Sequence, residues 1–431
     1  MIATAEVRIW GKKAGVVAWN REHRSGSFQF YPGFAENRWD LSPLWMPLSD
    51  PSGRIYRFPS LNEETYKGLP GMLADSLPDD FGNSVIDQWL VLNNLNRTEF
   101  SPVDRLCYIG ERGMGALEFH PMIKEVRSKG SEVVEIDRLV EFAGKILQHR
   151  NKFRADLKDT KGFNELIRVG TSAGGQRPKA IIAFHRKTLE VRSGQVPAPP
   201  GFEHWIIKLD GVSNNLLKDP KGYGRIEYAY YLMALDCGIR ISESRLLEEG
   251  GRAHFMTKRF DRRGSSEKIH MQSLCAMAHY DFKQPGAYSY EQAFETMRML
   301  RLPHPQMEQL FRRMVFNLIA RNQDDHTKNI TFLMESTGEW RLSPAYDLTY
   351  SFNPSGAWTS RHQMSVNGKR DGFTKSDLIT TGEKLNLKKS NEIVEEITTT
   401  VANWDHYAGM AGIPKMQAAR LKKAFRLDLP A

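Results

Sequence analysis

Two apolar runs, Val315 to Ala320 and Ile330 to Met334, enclose the most charged, histidine-bearing stretch of the chain, Arg321-Asn322-Gln323-Asp324-Asp325-His326-Thr327-Lys328-Asn329. Apolar segments seek the interior, so this polar loop is anchored in hydrophobic structure at both ends. With 431 residues, 40% of them hydrophobic, the chain can bury a substantial core and is long enough for two or three domains or lobes. Its 60 Lys and Arg against 51 Asp and Glu give a net charge of +9, which favours anionic partners such as nucleotides, nucleic acid or acidic protein surfaces. Cys107, Cys237 and Cys275 are odd in number, far apart and in no C-x-x-C pair. Neither a disulfide framework nor a cysteine zinc site is expected, and a reducing cytoplasm fits best. Glu6, Arg8, Lys12, Lys13 and Arg21 interrupt the first thirty residues, so no signal peptide or anchor is read there, and nothing further on reads as a membrane span.

Along the chain, alternation from Val7 to Val17, broken by Gly11 and Gly15 and repeated at Ser27 to Tyr31, predicts a small antiparallel sheet. Apolar spacing from Leu69 to Asn94 predicts two amphipathic helices separated near Pro78. A polar stretch from Val126 to Glu132 reads as a linker before a helix at Ile136 to His149. Strands are expected at Ala180 to Phe184 and Trp205 to Leu209, separated by the Pro-rich turn Pro197 to Gly201, and helical spacing dominates from Arg225 onward. No repeat or low-complexity tract is apparent.

Three motifs carry chemistry. In Gly170-Thr171-Ser172-Ala173-Gly174-Gly175-Gln176-Arg177-Pro178-Lys179, small residues let successive backbone N–H groups turn toward one anion. Gly170 and Gly175 have Walker A spacing, but Gln176-Arg177 stand where Lys and Ser/Thr are required, and alone the segment reads equally as a surface turn. Lys208 lies inside the apolar strand Trp205-Ile206-Ile207-Lys208-Leu209, where an ammonium calls for an anionic partner such as an ATP phosphate; the plainer alternative is a lysine snorkelling at a strand edge. Glu227, opening the helix Ile226 to Leu235, is placed to hold that ammonium, as the Lys–Glu pair of protein kinases does. Asp324 stands five positions before Asn329, the separation in the kinase catalytic loop H-R-D-x-x-x-x-N. Asp324 would accept or orient the proton of an attacking hydroxyl, and the Asn329 carbonyl oxygen suits hard Mg2+. Asp347, in Leu342-Ser343-Pro344-Ala345-Tyr346-Asp347-Leu348 after a predicted hairpin, would be a second metal ligand, and Lys328 would offset charge on the transferring phosphoryl. Taken singly each aspartate is more simply a turn residue. A metal-hydrolase cluster of Asp324, Asp325 and His326 is a rival reading, although no other histidine stands at ligand spacing on a predicted helix.

Taken in order, T-S-A-G-G-Q-R-P-K, H-W-I-I-K, Lys258-Arg259-Phe260-Asp261-Arg262, D-D-H-T-K-N and S-P-A-Y-D-L resemble the HipA family, the kinase toxins of bacterial toxin–antitoxin modules, and Leu77-Pro78-Asp79 extends the resemblance to most of the chain. It implies an α+β, two-lobed, protein-kinase-like fold: an N-terminal lobe of small sheets and helices and a mainly helical C-terminal lobe. The expected division is residues 1–128, 129–257 and 258–431. The implied chemistry is ATP- and Mg2+-dependent transfer to serine or threonine of another protein. ATP contact is implied for Ala173, Gly174, Gly175, Gln176 and Lys179, phosphate contact for Lys208, and adenine contact for Lys258, Arg259 and Phe260. Nucleotide contact is implied for His326, Thr327, Lys328 and Asn329, with Asp324 as base and Asn329 and Asp347 on magnesium. The family autophosphorylates a serine of the Gly-rich loop, matched here by Thr171 with Ser172 beside it. A further departure is Asp325, where the family has a small residue. Implied partners are a HipB-like helix-turn-helix antitoxin, operator DNA in complex with it, and a translation component such as an aminoacyl-tRNA synthetase as target. The competing reading is a non-catalytic, nucleotide-binding co-repressor.

Overall fold

The computed structural model describes residues 2–123, 131–148, 177–212 and 222–430. The chain forms two compact units, one from residues 1–224, 245–271 and 334–338, the other from 225–244, 272–333 and 339–431, so compactness divides it elsewhere than at 128 and 257.

The first unit opens with antiparallel strands β1 (Thr4–Ile9), β2 (Lys12–Asn20), β3 (Ser25–Phe30), β4 (Ile55–Tyr56) and β5 (Leu117–His120), in the order β4-β3-β2-β1-β5. Burial follows the period-2 pattern, with Ala5, Val7 and Ile9 inward on β1. Trp10 and Gly11, both at positive φ, form the two-residue hairpin turn, whose geometry matches strand twist. The first of the two helices expected from Leu69 to Asn94 shrinks to the single turn Gly71–Ala74, because Pro70 can only begin a helix and Pro78 holds Leu77 out of one. The second is full, Asp80–Leu92, capped by Asp79 accepting from Gly82 N–H at 2.6 Å.

A second sheet follows, with β6 (Lys179–His185), β7 (Val191–Ser193), β8 (Phe202–Lys208), β9 (Ser244–Glu249) and β10 (Arg252–Lys258) in the order β7-β6-β8-β10-β9. Ile182 and Phe184 of β6 and Trp205 and Ile207 of β8 share one core with Phe81, Ile86 and Trp89 of the Asp80–Leu92 helix and with Leu139 and Phe142 of the helix Ile136–Gln148. Just beyond β10, fully buried Asp261 accepts from Arg259 Nε (2.9 Å), from an Arg262 guanidinium nitrogen (2.8 Å) and from Gly115 N–H (2.7 Å). Arg262 also donates to the carbonyls of Gly113 and Gly115, so the segment after β10 is fastened to the chain that leads into β5.

The second unit is mainly helical, including most of Tyr223–Asp236 together with Leu274–Ala278, Tyr290–Met299, His304–Ile319, Lys375–Lys384, Ser390–Ala402, Trp404–Met410 and Lys415–Lys422. It also carries most of a three-stranded sheet, β13 (His270–Ser273), β14 (Thr331–Met334) and β15 (Trp340–Leu342), in the order β13-β14-β15; β11 (Arg262–Arg263) and β12 (Glu267–Lys268) form a small ribbon in the first unit. The apolar run Val315 to Ala320 is the last turn of His304–Ile319, which stops where Arg321 turns left-handed. Among the described residues no helix is long and apolar enough to cross a membrane.

Burial alone would raise the Asp261 carboxyl, but Arg259 and Arg262 outweigh it and hold the group well below the usual carboxylate range. A lowered folded value means its contribution is present above about pH 4 and is lost as pH falls below that. Asp261→Asn leaves two buried guanidinium groups without their carboxylate and is expected to cost about 3–5 kcal/mol in urea unfolding at pH 7. The loss should shrink as the titration is repeated below about pH 4.

Candidate active site

In the first unit, register sets Lys179 at the start of β6 opposite Lys208 at the end of β8, and Lys208 in turn opposite Phe255 of β10. The two lysines implied to meet ATP therefore stand side by side at one end of the sheet. Lys208 Nζ lies 5.7 Å from the Phe255 ring centre, within cation–π range. Lys179 is buried, with Nζ 3.8 Å from Asp79, the helix cap. The expected loop residues Thr171, Ser172, Ala173, Gly174, Gly175 and Gln176 lie outside the described residues. Arg177, at the described end of that loop, sets its guanidinium 3.2 Å over the Tyr223 ring.

Of the residues implied to meet adenine, Lys258 and Arg259 have their side chains in ion pairs. Lys258 Nζ is 2.6 Å from Glu203 Oε1, and Arg259 is buried on Asp261. A β-strand exit that must satisfy a buried carboxylate turns its cations inward, and the Arg259 N–H is likewise bonded to His204 O at 2.9 Å. Glu227 is buried on Tyr223–Asp236, in the second unit.

In the second unit, residues 323–327 alternate between buried and part-exposed, so adjacent side chains face opposite ways. Asp324 keeps 39% of its side-chain surface, and its Oδ1 accepts from the indole Nε1–H of Trp358 at 2.6 Å, with His326 Nε2 at 3.8 Å. The walls around it still desolvate the carboxyl and raise it above the ordinary range; His326 and the indole pull it down, and nearby Asp347 and Asp325 push it up again. Asn329 donates from Nδ2 to the Asp324 main-chain oxygen at 2.9 Å, which leaves its Oδ1 available to a cation. Tyr346 donates to the Lys328 carbonyl at 2.5 Å and meets Thr331 Oγ1 at 2.6 Å, and the next residue, Asp347, is half-buried in the left-handed conformation that aspartate tolerates. Thr327 Oγ1 donates to Tyr280 O at 2.7 Å, and Lys328 Nζ lies 4.9 Å from the Phe282 ring. Asp324, Asn329 and Asp347 thus fall in one locality, with oxygen ligands of the kind magnesium takes.

Asp325 does something different. It is buried and accepts from Tyr290 Oη (3.0 Å), His362 Nδ1 (2.8 Å) and Gln363 N–H (2.8 Å). The other ring nitrogen of His362 lies 2.9 Å from an Arg426 guanidinium nitrogen. Arginine has no acceptor, so Nε2 must receive that bond and the proton sits on Nδ1, making His362 a neutral donor to Asp325. Arg426 also donates to Leu318 O (2.6 Å) and Asp371 (2.5 Å). With its carboxylate turned into this network, Asp325 does not share a metal with Asp324 and His326, which corrects the hydrolase reading. Among the described residues the His/Asp/Glu group close enough to hold a metal is Glu111, Glu118 and His120, and Lys268 already ion-pairs with Glu118 there. Sequence reasoning missed Trp358, His362, Tyr290 and Arg426, which lie in no motif and meet the loop only through the fold.

The family model described as HipA-like C-terminal domain matches residues 171–404, and the one described as HipA N-terminal domain matches residues 5–120. The chain belongs to the HipA family. Among solved structures it is similar to HipA of Shewanella oneidensis MR-1, determined with HipB and operator DNA, at 14% identity and TM-score 0.65 over 97% of this chain and 95% of that one. The fold is accordingly the α+β, two-lobed, kinase-like one expected. The Helicobacter pylori proinflammatory kinase CtkA also matches, at 11% identity and TM-score 0.32 over 58% of this chain and 93% of that one, a likeness too slight to argue from.

Removing the Asp325 carboxylate strands Tyr290 and His362 in the interior. Asp325→Ala is expected to lose about 3 kcal/mol in urea unfolding, whereas exposed Asp428→Ala should stay within about 0.5 kcal/mol of the parent.

Proposed function

We propose that the chain is an ATP- and Mg2+-dependent serine/threonine protein kinase, the toxin of a HipBA-like module. The observation that carries this reading is Asp324: a part-exposed carboxylate fixed by a donor on one oxygen, in the same locality as the oxygen ligands Asn329 and Asp347. Phosphoryl transfer asks for alignment and charge neutralisation more than for covalent help, and such a group supplies the alignment of the nucleophile.

A serine or threonine hydroxyl laid against Asp324 gives up its proton to the carboxylate as its oxygen bonds to the γ-phosphorus. The bond from that phosphorus to the bridging oxygen breaks, and ADP leaves. Magnesium, when bound, neutralises phosphate charge, and Asn329 and Asp347 would hold it. Lys179 and Lys208 would take the phosphates and Lys328 the developing charge at the transferred group. Thr171 or Ser172 would be the hydroxyl of self-inactivation. A HipB-like antitoxin and operator DNA are the expected partners, since the Shewanella HipA was solved with both. An aminoacyl-tRNA synthetase is the target class we favour.

Asp324→Asn is expected to lower label transfer from γ-labelled ATP by about 10²- to 10⁴-fold. Asp347→Ala should remove transfer together with the magnesium dependence of nucleotide binding, read by calorimetry. The non-catalytic co-repressor reading predicts instead a shift of operator DNA with antitoxin and no labelled protein from the wild type.

A further inference from the structure

Asp324 has two carboxylate oxygens, and the structure treats them unequally. Oδ1 takes the Trp358 indole N–H at 2.6 Å, while no hydrogen bond to Oδ2 is formed among the described residues. Trp358 is half-buried, in a stretch without helix or strand between Asp347 and the Lys375–Lys384 helix. That stretch is nonetheless fastened to the loop residue by residue. Gln363 donates from Nε2 to Trp358 O (2.5 Å) and Gln323 O (3.1 Å), Gln323 donates from its own Nε2 to Thr359 O (3.2 Å), and His362 and the Gln363 N–H both reach Asp325. An indole N–H can only donate and its ring has no alternative rotor for that proton, so it holds a carboxylate in one rotation as a hydroxyl would not.

We infer that Trp358 is a positioning residue, which occupies Oδ1 of Asp324 and so leaves Oδ2 as the atom that receives the proton of the attacking hydroxyl. The assignment rests on the kinase reading above and adds to it the choice of atom and the group that makes the choice. The balance of the step is unchanged: the hydroxyl proton goes to Oδ2, the oxygen joins the γ-phosphorus, and ADP departs with the bridging electrons. Without the indole donor the carboxyl is free to rotate and to present either oxygen, or neither, to the incoming hydroxyl. Loss of alignment rather than loss of binding is the consequence.

The full-length chain carrying 3-benzothienylalanine at position 358 keeps the bicyclic ring but replaces N–H by sulfur, and Trp358→Phe removes the donor with some ring volume. Transfer from γ-labelled ATP, to the chain itself and to dephosphorylated casein as acceptor, is measured alongside Mg·ATP affinity by calorimetry and melting temperature. Both variants should transfer about 10-fold more slowly, with KM for ATP and nucleotide affinity within about two-fold of wild type and, for the isostere, an unchanged melting temperature. Wild-type transfer by the isostere, with Asp324→Asn inactive, overturns this assignment and leaves the kinase reading intact. So does a loss of rate in the isostere that is matched by lost nucleotide affinity or stability, since that is a packing role. If wild-type protein labels nothing, or Asp324→Asn labels as fast as wild type, the kinase reading falls and the assignment falls with it.

Discussion

The hydrogen bonds accepted by Asp325 are the constraint on which the loop depends. A part-exposed side chain such as Asp324 has few partners of its own, so much of what holds its backbone comes from the residue beside it. Asp325 provides this by accepting from Tyr290, His362 and the Gln363 N–H in the interior. Arg426, through His362, extends the same hold to the final residues of the chain, and its bond to Leu318 O reaches back to the helix that delivers the loop. Each partner satisfies a group that would otherwise be buried unpaired, so the set is stable only as a whole.

The first unit solves a similar problem with opposite signs. There the cations are in excess: Arg259 and Arg262 converge on Asp261, and Lys258 turns to Glu203. These bonds secure the exit from β10 against the chain around Gly113 and Gly115. Lys179 and Lys208, neighbours by register on β6 and β8, are the cations of that sheet which the strand pattern sets at one end together. Lys258 is held by the carboxylate of Glu203, and buried Lys179 lies beside that of Asp79.

Much of this was legible in the sequence. Alternation placed Val7 and Ile9 inward on β1, the apolar runs around the loop became the end of a helix and a strand, and Asp324 and Asn329, five positions apart, are joined by a side-chain to main-chain hydrogen bond. Local rules reach only so far, however. Trp358 meets Asp324 across 34 positions, His362 meets Asp325 across 37, and Arg426 meets His362 across 64, and no periodicity encodes a contact of that span. The helix that failed, at Leu69 to Leu77, failed for a local reason that the prolines at 70 and 78 already contained.

The pair Asp324-Asp325 shows most clearly why spacing alone could not assign roles. Two identical side chains stand next to each other, and the sequence offers equal chemistry to both. In a backbone whose consecutive side chains face opposite ways, one carboxylate must turn toward the interior and its neighbour toward the opening. Which is which is decided by where the buried donors are: Tyr290 and His362 lie on the side of Asp325, so Asp324 is the one left part-exposed. A small residue at position 325 would leave those donors to find another acceptor. The aspartate therefore supplies the support beneath Asp324 from within the loop itself.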